Sequence, residues 1–245
     1  MEQSGQLVRP ITSRSRGSNP ALAMKFLNFI WKFVFLKLYK GIFLLGFMRK
    51  RDFYFLAGVL FVLLQVVTVV RNVLIDYIYF FWLCDFVLVL YALGFFLKND
   101  QFVKGIVNLG LIPQIIYFVN VLILIFFGVS FFEGIDFLLG VPPFIILLTL
   151  LFHSSTFFAF FFTYKIKPSK ISIYYSLVGV ILVYLLVFLF SNPMDNPNYV
   201  FLFSDLFGAE KFSIFWIPVV FLFIVLPTQL FQYFVWKVFS RNASG

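Results

Sequence analysis

Between Phe53 and Phe239 the chain keeps returning to apolar stretches, several of which reach the roughly 20 residues that a helix needs to cross a bilayer. Such stretches leave few options. In hydrocarbon every backbone N–H and C=O must be paired within the protein, so a spanning segment of this kind folds as a helix. Only 12% of the 245 residues are charged, against about 25% in a typical soluble domain. The sequence therefore predicts an all-α polytopic membrane helix bundle. Six spans are expected, at about Phe53–Val70, Val73–Leu97, Gly105–Phe127, Val141–Tyr164, Ile171–Phe190 and Phe212–Phe239. Pro218 and Pro227 should bend the last one, because proline removes a helical hydrogen bond. The 40 phenylalanines are accounted for by an AT-rich genome rather than by an aromatic function.

Two segments precede the spans. Residues 1–23 are polar, basic and poor in phenylalanine. Their run "GSNP", Gly17 to Pro20, is what the T-arm of a tRNA gene encodes in one reading frame, so translation is expected to begin at Met24. The alternative is a disordered basic tail. A signal peptide is not expected, since no apolar core precedes the "ALA" at Ala21 to Ala23. Residues 24–52 are apolar but carry Lys32, Lys37 and Lys40 and close on Arg49 to Arg51. Lysines in hydrocarbon are costly. A basic amphipathic helix lying in the headgroup region, its lysines snorkelling, is the cheaper arrangement. Residues 53–241 then form the six-span domain.

The net charge of +9 raises the question of which side of the membrane holds it. With six spans, the basic residues of 25–51, Lys98, Lys104, Lys165, Lys167, Lys170, Lys237 and Arg241 fall on one side. Arg71 and Lys211 fall on the other, with Asp76, Glu133, Asp136, Asp195, Asp205 and Glu210. Positive charge is retained on the cytoplasmic side, so both termini are expected there, in a prokaryotic cell membrane. The charge is then a matter of topology and of contact with membrane lipids. No nucleic-acid partner is needed to explain it.

Chemistry has few places to sit. The chain has one cysteine, Cys84, and one histidine, His153. Each lies 11 or 12 residues into its expected span, counted from the same side, which puts both roughly 16–18 Å deep, near mid-bilayer. Thr149, Thr156 and Thr163 share the helix face of His153, a polar stripe that should face the bundle interior. Asp85 adjoins Cys84 but points about 100° away from it, so its partner is expected on another helix. An ionisable group at this depth is a functional or pairing site by default. Gln114 is the polar residue of the third span nearest the midplane. No metal-ligand spacing, phosphate-binding glycine loop or serine-nucleophile elbow is present, so no metal and no cofactor is expected.

Four passages in order resemble the YwaF-like family of integral membrane proteins, the transmembrane protein 164 acyltransferase family. "WLCDFVLVLYALGFFLKND" (Trp82 to Asp100) is similar to its cysteine-bearing helix, and "NLGLIPQ" (Asn108 to Gln114) to its Gly-Leu segment. "LLFHSSTFFAFFFTYKIKPSK" (Leu150 to Lys170) is similar to the histidine-bearing helix, and "NPNYVFLF" (Asn196 to Phe203) to its Asn-Tyr motif. The residues just before Cys84, namely Phe81, Trp82 and Leu83, depart from the family's usual Pro and His or Gln. The resemblance implies acyl transfer on membrane phospholipids, with Cys84 as acyl-accepting nucleophile and His153 as its base. It also implies a substrate contact for Asn198 and Tyr199. Asp85, Gln114, Thr149 and Thr156 would line the polar cavity that such a buried pair requires. The competing expectations are a non-enzymatic transporter or lipid-binding protein with a polar site on Asp85 and His153, and a scaffold subunit of a membrane complex.

Overall fold

The computed structural model describes residues 50–75, 82–129, 138, 141–190 and 215–241. Long helices dominate these residues, and no strand occurs among them. In chain order they are α1 (Lys50–Ile75), α2 (Leu83–Phe96), α3 (Asp100–Phe127), α4 (Pro143–His153) and α5 (Ser155–Thr163). Next come α6 (Lys170–Phe190), α7 (Trp216–Val220), a π-helical turn (Phe221–Val225) and α8 (Leu226–Arg241). Five stretches are long and apolar enough to cross a membrane: Arg51–Val73, Asp100–Phe127, Pro143–Thr163, Lys170–Phe190 and Trp216–Phe239. Helix α2 is apolar but has only 14 residues. The protein is an integral, multipass helical membrane protein.

Two expected boundaries are corrected. Helix α1 does not stop at Val70 but runs on to Ile75. No proline or glycine follows Gly58 within it, and a lone charge does not end a helix when the protein interior can pair it. The second span therefore does not begin at Val73, because α2 begins at Leu83. The expected tail (1–23), Asn198 and Tyr199 lie outside the described residues, as does the expected interfacial helix up to Arg49. Lys50 to Asp52 form the first turn of α1.

Tyr54, Ala57, Phe61, Leu64, Thr68 and Arg71 are the buried side of α1, at alternating steps of three and four, while Phe55, Leu63, Val66 and Val70 face outward. That buried side packs on α2: Phe61 stacks on Phe95 at 5.4 Å and meets Tyr91 at 5.0 Å. Helix α3 is the axis of the bundle. It packs against α2, α4, α5, α6 and the last span, and every residue from Val103 to Leu111 is buried. Its start is fixed by Asn99, whose side-chain oxygen accepts from the Phe102 N–H at 3.0 Å.

Two spans are irregular. The fourth is split at Ser154 into α4 and α5. The last opens into the π-helical turn before Pro227, where the Leu226 N–H donates to the Phe221 carbonyl, five residues back. The bundle has a basic end, holding Lys50, Lys98 and Lys170, and a far end, holding Val73 and Pro143. Phe61 of α1, Leu88 of α2 and Val107 and Leu109 of α3 are fully buried.

Candidate functional site

The residue that organises the far half of the bundle is Arg71. It is 2% exposed. Its Nε donates to Thr149 Oγ1 at 3.1 Å and its Nη1 to Asn72 Oδ1 at 2.9 Å. The guanidinium also lies 4.9 Å from the centre of the Phe152 ring. Thr149 Oγ1 in turn donates to the Ile145 carbonyl at 2.9 Å. These contacts tie α1 to α4. They also bring a buried positive charge into the sector where the sequence placed only thiol, acid and imidazole. The Arg71 guanidinium acts electrostatically on Cys84, Asp85 and His153 alike.

Asp85 is 3% exposed and sits in the first turn of α2. The Asn72 amide approaches its carboxyl group, yet both carboxyl oxygens and Asn72 Nδ2 lack a hydrogen bond of regular geometry. Arg71 and Asn72, the groups that act on Asp85, both belong to α1, the helix packed against α2. His153 is 2% exposed and ends α4, stacked on Tyr117 of α3 at 3.8 Å between ring centres. Its Nδ1 has no hydrogen-bond partner. Buried polar atoms are nearly always paired, so each unpaired one is a candidate position for water, an ion or a ligand.

Cys84 is partly buried, and its sulfur lies against the backbone amides of Cys84 and Asp85 at the start of α2. Its place in the helix differs from the expected one: it is the second residue of α2, whereas the expected count had started the second span at Val73. No hydrogen bond between described residues joins the thiol to His153.

Deeper in the bundle, Gln114 of α3 repairs the break in the fourth span. Its Oε1 accepts from the Thr156 N–H at 3.1 Å and from Ser155 Oγ at 3.3 Å. Neighbouring side chains satisfy backbone freed by a broken helix in just this way. Thr156 Oγ1 also meets the Tyr91 hydroxyl at 2.9 Å. Gly110 lets this pair approach α3, since a Cβ there would lie 2.7 Å from Thr156 Oγ1. Thr149, Thr156 and Thr163 are all buried, as the stripe reading required.

A second polar group lies towards the basic end. Lys104 is fully buried and donates from Nζ to Gln232 Oε1 at 3.1 Å. Gln232 Nε2 donates to Asn108 Oδ1 at 2.6 Å, and Asn108 Nδ2 to Ser176 Oγ at 3.0 Å and Gln229 Oε1 at 2.8 Å. This network binds α3 to α6 and α8. No hydrogen bond between described residues joins it to the far group. Arg71 and Lys104 were both counted as loop charges in the sequence; both are interior. For Arg71 the signal was the buried-face spacing of α1, which continues through Thr68 to Arg71.

The fold and site define a polytopic α-helical membrane protein with a polar centre in the far half of its bundle. Compared with protein-family models, with curated proteins and with solved structures, the chain matches none.

Proposed function

We propose that the protein is a membrane carrier whose proton or solute site is built from Asp85 and His153 around Arg71. What carries this reading is that both Asp85 oxygens, Asn72 Nδ2 and His153 Nδ1 are among the buried atoms that lack a regular hydrogen bond between described residues. Asp85 and His153 are groups that change charge by taking up a proton, and Arg71 supplies a fixed charge against which such a change is felt. With the basic end towards the cytoplasm, as the lysine distribution favours, the site belongs to the outer half of a prokaryotic cell membrane. The test is proton flux into pyranine-loaded proteoliposomes under a potassium diffusion potential. Asp85→Asn and His153→Ala should each lower it at least about 10-fold while the protein stays monodisperse. Unchanged flux in both variants would refute the proposal.

A second reading, acyl transfer through Cys84, is supported by the position of the thiol. The first turn of a helix, where backbone amides point at the sulfur, is a setting for cysteine nucleophiles, and Cys84 is partly accessible there. In this reading the thiol takes the acyl group from a phospholipid ester, releasing a lysophospholipid, and passes it to a second lipid. Protein incubated with acyl-labelled phospholipid would form a hydroxylamine-sensitive adduct on Cys84. Full acyl-transfer activity in Cys84→Ala would sink it.

A further inference from the structure

A groove of about 600 Å³ opens at the basic end, lined by Arg51, Asp52, Phe55, Leu56, Phe95, Phe96 and Lys98. Its walls are the first turns of α1 and the last turn of α2. Phe96 lies so close over Gly58 that a Cβ there would fall 2.6 Å from the ring. Phe55 and Phe96 face each other at 6.1 Å, and Phe55, Leu56 and Phe96 are exposed. The mouth carries two cations and one acid. Arg51 approaches Asp52 at 3.9 Å but its side chain remains 77% exposed. Lys98 is exposed and makes no ion pair or hydrogen bond through its side chain with any described residue.

Lys98 also holds an unusual backbone. It follows the last residues of α2, where its N–H donates to the Phe95 carbonyl at 2.9 Å and the Asn99 N–H to the Gly94 carbonyl at 3.0 Å. This is the double bond pattern that closes helices on a left-handed residue, usually glycine. Lys98 takes that place with φ 53°. A side chain is kept where the backbone would be easier without one. Such strain is a feature of sites where the side chain has a task.

We propose that this groove holds an anionic phospholipid of the leaflet at the basic end. Arg51 and Lys98 would take the phosphate, and Phe55, Leu56 and Phe96 the start of an acyl chain. The charge fits a lipid head group bearing net negative charge. The depth fits as well, since Arg51 begins the first span and α2 ends beside it. Both cations line the same groove, and the planar guanidinium of Arg51 is suited to phosphate.

Native mass spectrometry of the full-length protein, delipidated and then titrated with dioleoylphosphatidylglycerol or dioleoylphosphatidylcholine, tests this. The wild type should retain the anionic lipid at least about 10-fold better. Arg51→Gln/Lys98→Gln should abolish that preference. Lys98→Gly should weaken it several-fold while leaving the unfolding midpoint equal or higher, which separates lipid binding from folding. Lys165→Gln/Lys170→Gln removes the same charge elsewhere and should change nothing. Equal loss in this control, a preference intact in the Arg51/Lys98 variant, or displacement of the lipid by inorganic phosphate alone would each overturn the proposal.

Discussion

Replacing Arg71 by methionine removes the charge that, among the described residues, acts on Asp85, Cys84 and His153 alike. Methionine keeps much of the length and apolar volume, so the change is chiefly electrostatic and in hydrogen bonding. The interhelical bond to Thr149 (3.1 Å) is lost; within membrane bundles such bonds average about 0.6 kcal/mol, reaching about 1.7. Loss of the contact over Phe152 (4.9 Å) adds about 0.5–2 kcal/mol. Asn72 Oδ1 loses its donor, an unsatisfied group that costs about 1–3 kcal/mol. Asp85 loses the one cation among the described residues that acts on it. The total is about 2–7 kcal/mol, read as a lower unfolding midpoint in mild detergent. The informative measurement is the double-mutant cycle with Asp85→Asn. If Arg71 stabilises the structure partly through Asp85, the double variant should be less damaged than the two single losses added, with a coupling of about 1–2 kcal/mol. Strict additivity would refute the idea that these two residues form one centre.

Three further outcomes follow from the packing. Gln114→Leu leaves the Thr156 N–H at the Ser154 break without its acceptor; it should cost about 1–3 kcal/mol and speed amide exchange at Thr156, and unchanged exchange there would contradict the role given to Gln114. Gly110→Ala pushes a methyl group to within 2.7 Å of Thr156 Oγ1 and 3.2 Å of the Tyr91 hydroxyl. It should destabilise by about 1–3 kcal/mol, whereas an unaltered midpoint would mean α3 and α5 are not so closely packed. Lys104→Met strips Gln232 of a donor in a buried network; a loss of about 1–3 kcal/mol is expected, and a gain in the unfolding midpoint would show that the lysine serves something other than cohesion.

The helical, membrane-spanning character of the chain was legible because hydropathy and length act over whole segments. The interior face of the fourth span was legible too, since threonines at helical spacing around His153 have one sensible direction to point. What the sequence concealed were interior charges. Arg71 and Lys104 look like ordinary flanking residues, because a charge at the edge of an apolar run reads as its terminus. Only the partner helices reveal otherwise, through Thr149 and Phe152 for one and Gln232 for the other. The place of Cys84 within its helix was lost for the same reason. Ending the first span at Val70 moved the next one, and every position counted from it. The split at Ser154 had no local warning, for its support comes from Gln114, about 40 residues earlier in the chain.

The burial of Phe61 and Leu88 bears on kinetics. A file of water molecules threading the bundle would let protons pass at rates limited by diffusion and proportional to voltage. Phe61 and Leu88 are both 0% accessible, so water does not reach past these two side chains among the described residues. If the protein carries protons as proposed, passage would require helices to shift for each event. Flux should then saturate with driving force and rise steeply on warming, the behaviour of a turnstile and not of a pore.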